Sequence, residues 1–391
     1  MNINMIDTIG LSITHGKYSV FDPTVFIPTF RRIDEIDQNQ VIQFLKDKKG
    51  LQKYTLNPKS SLKELGFIYP NVTIYESYKR NNYQCNLKPH ISIPKMLFGH
   101  SVEEVTNKHY EQAVTMLQDR LKEMQVLVYE KALQEATVTT LNYCMNVLVQ
   151  SDAEARRLLN ALNRMSLGER YENHSRDYAN NGKAVRFHTK TFELIFYLKY
   201  YDFIQTGNDR IDKKTTPQEK AIAQKLLEAN TIPPLIRIEV RFNGKPSIRQ
   251  HLRTINGIDK PTWTLKEVFD EEISRKVIQY YWHKLTDNQL NKLMLMEISD
   301  EYIYRKLREN FISTPQRILD NTIGMLKRLQ AQGVVNYKEE LLRSYSRSKW
   351  YKDQQRIVEF LDKNNLLQNS DLYEFMENAV TQKPMQLGLP I

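Results

Sequence analysis

Thr191 to Phe203 reads TFELIFYLKYYDF and Leu235 to Phe242 reads LIRIEVRF, and the alternation within these two stretches decides the fold. With a period of two, Glu193, Ile195, Tyr197, Lys199 and Tyr201 fall on one side of a strand, and Leu194, Phe196, Leu198 and Tyr200 on the other. In the second stretch Ile236, Ile238, Val240 and Phe242 share an apolar side, and Arg237, Glu239 and Arg241 the polar one. Two such strands in one sheet would bring a phenol, an ammonium, guanidiniums and a carboxylate together. Those groups can attack a phosphodiester: Tyr197 as nucleophile, Lys199 and Arg237 as cations for the developing charge, and Glu239 to hold a metal ion or take a proton. The competing reading is a solvated sheet face laced with salt bridges.

Working outward, Met5 to Thr14, Leu51 to Leu56, Phe67 to Lys79 and Tyr83 to Ile93 read as strands, the last two joined by a turn at Arg80, Asn81 and Asn82. Thr137 to Val149 (TVTTLNYCMNVLV) is β-branched and places Thr140, Asn142 and Cys144 on one side. Helix starts are marked by the box pairs Ser101/Glu104, Ser151/Glu154, Thr216/Glu219 and Thr264/Glu267, with Pro217 at the first position of the third. Val126 to Leu133 is ambiguous, and Gly168 to Gly182 reads as a polar loop. Beyond Thr264 the apolar spacing is helical through Gln289 to Glu297, Glu301 to Glu309, Pro315 to Gln332 and Ser348 to Asn364, before a tail from Gln382 expected to be flexible. The expectation is an α+β protein: an antiparallel sheet domain with flanking helices over 1–260, then a mostly helical C-terminal region over 261–391.

The charge of +10 over 391 residues, with 26% charged and 41% hydrophobic side chains, favours a polyanionic partner, nucleic acid before an anionic membrane surface. Arg237, Arg241, Lys245, Arg249, His251 and Arg253 cluster against the single acid Glu239 and suit phosphate contact, as do Arg343, Arg347, Lys349 and Lys352 interleaved with Tyr345, Trp350 and Tyr351. Helix packing by those aromatics is the alternative. Cys85 and Cys144 are the only cysteines, too few for a disulfide framework, which fits a reducing cytoplasm and two small buried hydrophobes. Neither a signal peptide nor a run of about 18 apolar residues is visible, so neither secretion nor a membrane span is expected. The eight histidines include no His-x-His pair and no helical i, i+4 pair, and there is no Walker-type loop. His100 after Gly99 and His188 beside a strand are the histidines best placed for a site role, against turn or surface positions.

Taken in order, five blocks resemble the replication initiators of filamentous bacteriophages and related plasmids, the gene II protein family of rolling-circle endonucleases. They are MIDTIGLSI from Met5, ISIPKMLFGH at Ile91 to His100, TVTTLNYCMNV from Thr137, LIFYLKYYDF at Leu194 to Phe203 and LIRIEVRF at Leu235 to Phe242. The resemblance implies an enzyme that nicks one strand of a supercoiled, double-stranded replication origin, stays joined to the 5′ phosphate through tyrosine, and later cuts and rejoins the displaced single-stranded circle. It implies DNA as partner, a host helicase and polymerase as accessories, and the bacterial cytoplasm as the place of action. The family's nucleophile falls on Tyr197, and its arginine-x-glutamate strand on Arg237 and Glu239. Family members often carry an aspartate where this chain has Asn142, and the paired-histidine metal motif of the wider superfamily is absent. Asp7 and Glu239, with Asn142 as a neutral oxygen, are then the expected ligands for Mg²⁺ or Mn²⁺. A non-catalytic nucleic-acid-binding protein with Tyr197 as a stacking platform, and a relaxase or transposase of mobile DNA, are the alternatives.

Overall fold

A computed structural model describes residues 6–30, 38–47, 50–56, 68–79, 82–101, 103–168, 171–173, 184–199, 221, 224, 234–296, 299–310, 312–363 and 371–381. The expected Thr216 helix, the Arg80–Asn81 turn, most of the 168–182 loop, Tyr201 and the tail from Gln382 lie outside these residues. The strands are β1 (Ile6–Thr14), β2 (Tyr18–Val20), β3 (Leu51–Leu56), β4 (Asn71–Lys79), β5 (Asn82–Ser92), β6 (Val126–Val128), β7 (Thr137–Leu148), β8 (Glu172–Asn173), β9 (Ala184–His188), β10 (Phe192–Leu198) and β11 (Leu235–Asn243). Among the described residues, nine of them form one antiparallel sheet in the order β3-β4-β5-β1-β7-β11-β10-β9-β8, and β2 pairs with β6 apart from it. The strands β10 and β11 lie side by side, as the opening stretches require, with Tyr197 opposite Arg237 and Ile195 opposite Glu239.

One side of this sheet is core. Leu194, Phe196, Ile238, Val240, Phe242 and Leu141 pack into a single apolar cluster, as the period-two reading expects. The helices α1 (Gln38–Asp47), α2 (Ile93–Phe98), α3 (Tyr110–Glu123), α4 (Glu130–Gln134), α5 (Asp152–Asn163), α6 (Lys245–Asn256), α7 (Leu265–Val268) and α8 (Glu271–Thr286) accompany the sheet. They are followed by α9 (Gln289–Met294), α10 (Asp300–Asn310), α11 (Gln316–Gln332), α12 (Val334–Ser344), α13 (Arg347–Lys363) and α14 (Asp371–Thr381), so the chain is α+β with a helical C-terminal region. No described helix is long and apolar enough to cross a membrane.

Several boundaries differ from expectation for identifiable reasons. Pro94 sits in the first turn of α2, so β5 stops at Ser92, and Gly99 ends α2 in the left-handed conformation (φ 77°) with its N–H on the Lys95 carbonyl at 2.9 Å. The Ser101/Glu104 pair does not start a helix. The box is made instead by Thr106 and His109, whose Nδ1 accepts from the Thr106 N–H at 3.0 Å, an imidazole in the place usually held by glutamate. The Thr264/Glu267 box is formed, but α7 lasts one turn before the Asp270 carboxylate caps α8 afresh. α8 packs on β7 and β11, and the Tyr143 hydroxyl donates to the Val268 carbonyl at 2.8 Å. The apolar core is therefore continuous across residue 260, where the sequence places a domain boundary. Gly333, between α11 and α12, lets the backbone come against Arg164 at the end of α5, since a Cβ there would lie 2.7 Å from the Arg164 carbonyl oxygen. This close approach anchors the C-terminal helices to the sheet layer.

Candidate active site

The polar side of the sheet is built row by row through strand pairing. His188, Glu193, Arg241, Asn142, Thr8 and Ser92 stand opposite one another in sequence across β9, β10, β11, β7, β1 and β5. Two residues along, Arg186, Ile195, Glu239 and Cys144 form the next row, and Ala184, Tyr197, Arg237 and Asn146 the one after. Paired residues share a side because successive side chains alternate. Asp7 joins this face through a register shift between Ile6 and Thr8, which turns Ile6 into the core and Asp7 toward Arg237.

Tyr197 donates its hydroxyl hydrogen to Glu239 Oε1 at 2.7 Å. Arg241 occupies the other carboxylate oxygen through Nε at 2.8 Å and through Nη2, and reaches Glu193 at 3.5 Å. Glu193 also pairs with Arg186. Arg237 is enclosed: 1% of its side chain is exposed, and it donates to Asn146 Oδ1 at 2.9 Å, to Asp7 Oδ1 at 3.1 Å and to the Ser101 carbonyl. Lys199 is buried, with its ammonium 5.7 Å from the centre of the Tyr197 ring. The expected nucleophile, carboxylates and cations are thus one constellation, while the solvated salt-bridged face fits only its Arg186–Glu193 margin. Tyr197 is 9% exposed and Glu239 2%, so both lie beneath neighbouring side chains.

Electrostatics follow from the packing. Burial pushes the Asp7 carboxyl up, but Arg237, Lys199, the Thr8 hydroxyl and Arg241 outweigh it and hold the pKa below the ordinary carboxylate value. Burial opposes charge on Arg237 and Arg241 too, and the surrounding acids and phenol reverse that and raise both. The thiols are kept protonated by burial, Cys85 pushed up to about 12 and Cys144 further.

Asn142 is buried and its Oδ1 has no hydrogen-bond partner, which leaves one hard oxygen unsatisfied next to Thr8 in the row. Asp7 has Oδ1 on Arg237 at 3.1 Å and Oδ2 accepting from the Thr8 hydroxyl at 2.8 Å, so with Asn142 it offers oxygens of the kind Mg²⁺ and Mn²⁺ take only by exchanging those partners. Among the described residues, no group of three or more His, Cys, Asp or Glu side chains is arranged to hold a metal ion. Glu239, read from sequence as a ligand, has one oxygen on Tyr197 and the other on Arg241.

The remaining site residues separate by place. His188 lies in the first row beside Glu193, and buried His100 adjoins Ser101, with Nε2 3.7 Å from Glu103. Lys245 begins α6, while Arg249 and Arg253 on the same helix both turn to Asp259, at 2.9 and 3.6 Å. In α13, Lys349 is paired with the buried Asp353, and Trp350 packs edge-on against Tyr337. Arg347, Lys352, Tyr345 and Tyr351 stay exposed, so the aromatic-basic run divides between packing and surface. Asn146 and Ser101, which hold Arg237, had no site role in the sequence reading, and Glu193, placed there on the side of Tyr197, had none as a partner of Arg241. Position on the polar period of β7 and β10 was the available signal for the first and last. Compared with known proteins, the chain matches no protein-family model, no curated protein and no solved structure.

Proposed function

We propose that this protein is a tyrosine-dependent DNA nickase of the rolling-circle initiator type, acting on a replication origin. The observation that carries the reading is the Tyr197–Glu239 hydrogen bond inside a cationic sheet face. A phenol with an ordinary pKa of about 10 is protonated at neutral pH, so its attack needs an acceptor, and Glu239 is at hydrogen-bond distance. The Tyr197 oxygen bonds to phosphorus as its proton passes to Glu239, the bond from phosphorus to the 3′ oxygen breaks, and that oxygen takes a proton from solvent. The product is a 5′-phosphotyrosyl ester and a free 3′ hydroxyl. The ester retains the cleaved bond's energy, so rejoining by the reverse reaction requires no nucleotide triphosphate.

Arg241 and Lys199 are the cations positioned to offset transition-state charge. Arg237, enclosed by Asn146, Asp7 and Ser101, serves as a positioning residue that fixes β1 and the turn after α2 against the site. Asp7 and Asn142 would be the residues to hold Mg²⁺ or Mn²⁺, which would supply positive charge for the phosphate. The test is conversion of supercoiled origin DNA to the nicked circle in the presence of either ion. Binding without conversion at any concentration of either ion selects the non-catalytic alternative.

A further inference from the structure

The sheet face that carries Tyr197 continues beyond β1. Pairing extends it through Ser92 and His90 of β5, through Thr73 opposite Lys88 and Tyr75 opposite Asn86 in β4, and to Lys53 opposite Tyr75 in β3. The reverse side of these strands is core, with Tyr54, Val72, Ile74, Leu87 and Ile91 buried. On the outer side Lys53, Asn71 and His90 are exposed, and Tyr75 and Lys88 half-buried.

Lysines collect on this outer half. Lys88 Nζ lies 4.3 Å from the centre of the Tyr75 ring and Lys53 Nζ 5.9 Å, so one aromatic ring holds two ammonium groups. Asn243 stands in one row with Thr140, Gly10 and His90, and Lys245 follows two residues later at the start of α6, which brings a third ammonium to this end of the face; burial, then the Lys245 charge, lowers the Lys88 pKa. Glu76, the one acid among the described residues of β3, β4 and β5, points to the other side, where it accepts from the Tyr54 and Tyr83 hydroxyls at 2.6 and 2.9 Å. No carboxylate of these strands offsets the cluster. Like charges gathered with no counter-charge from the described residues of these strands repel one another, and an anion relieves that cost.

We infer that Lys53, Lys88 and Lys245, organised by Tyr75, hold phosphates of the single DNA strand whose cleavage site lies at Tyr197. The inference rests on the nicking reading above and names where that strand runs. Tyr75 and Tyr197 are five strand spacings apart in the sheet order, about 24 Å measured across the strands. Between them the face offers His90, Thr140 and Asn86, polar groups able to hydrogen-bond the edges of unpaired bases. A cationic track lined with polar and aromatic side chains is the chemistry that follows a single-stranded backbone.

The test is fluorescence-anisotropy titration over a range of salt with labelled oligothymidylate of increasing length, single-stranded and paired with oligoadenylate. Wild type should gain single-strand affinity as the oligonucleotide lengthens. Lys53→Ala/Lys88→Ala should lose that gain, with the slope of log K against log salt flattened by about 1.4, at about 0.7 per lost phosphate contact. Lys53→Arg/Lys88→Arg should retain both, which excludes a folding effect. An unchanged slope in the alanine pair overturns the inference, and so does a change confined to the duplex. Tyrosine-linked adduct formation on supercoiled origin DNA, measured on the same proteins, separates the two readings. Adduct in wild type with an unchanged slope in the alanine pair removes the track alone, whereas a flattened slope in the alanine pair with no adduct from wild type removes the nicking chemistry.

Discussion

Glu239 bonds Tyr197 with one carboxylate oxygen and Arg241 with the other, at 2.7 and 2.8 Å, so the carboxylate that accepts from the phenol is itself held by a cation. Glu239→Gln keeps the shape but offers one acceptor oxygen where the carboxylate offers two, and it removes the charge that would take the proton. Cleavage should fall by about 10²- to 10⁴-fold, the usual worth of a positioned general base, with DNA binding unchanged. Cleavage kinetics and a binding isotherm on the same preparation check this, and equal cleavage rates would remove Glu239 from the chemistry.

Arg237→Met should act on stability. The substitution leaves Asp7 without its partner in a largely enclosed position, a loss of about 3–5 kcal/mol where a buried pair is broken from one side. Arg237→Met/Asp7→Asn should recover part of that loss, because no unpaired charge remains. Denaturant melts of the two variants measure the difference, and equal stabilities would show that the Asp7 charge is solvated.

His251 gives the stability curve an acid arm. Burial, then the nearby Lys284, lowers its pKa from 6.5 to about 4, and its ring stacks on Phe242 at 4.9 Å. The unfolded chain binds a proton here below about 6.5 and the folded chain does not until about 4. Stability from this group is therefore complete above pH 6.5 and is lost as pH falls through that window. Melting temperatures of wild type and His251→Phe between pH 4 and 7 should converge at the acid end, the variant lacking the slope.

Lys349 and its neighbours on α13 should behave differently from one another. Arg347→Ala and Lys352→Ala should each flatten the salt dependence of duplex binding by about 0.9 with no change in melting temperature. Lys349→Ala should lower the melting temperature, since the buried Asp353 loses its ion pair. A salt slope that none of the three alters would leave the C-terminal helices without a DNA-binding surface.

The sheet was legible where alternation was regular. β10 and β11 face as their sequence indicates, because both lie mid-sheet with one side wholly in the core. Asp7 shows the limit: strict alternation puts it on the side of Ile9 and Leu11, and only the register shift at Ile6–Thr8 turns it to Arg237. α6 was hidden inside a run read for its charge, although Pro246 in its first turn and Gly257 at its end are ordinary helix limits. The burial of Arg237 was not legible, since its partners Asn146, Asp7 and Ser101 come from three distant parts of the chain.

The most direct measurement is mass spectrometry of the protein after reaction with origin DNA and nuclease trimming, performed on wild type and Tyr197→Phe. Wild type should carry a nucleotide on the peptide containing Tyr197, joined through a 5′ phosphate, and the phenylalanine variant should carry none anywhere. An adduct of equal yield in the variant, or one mapping to another tyrosine in the wild type, would remove Tyr197 as the nucleophile and with it the assigned mechanism.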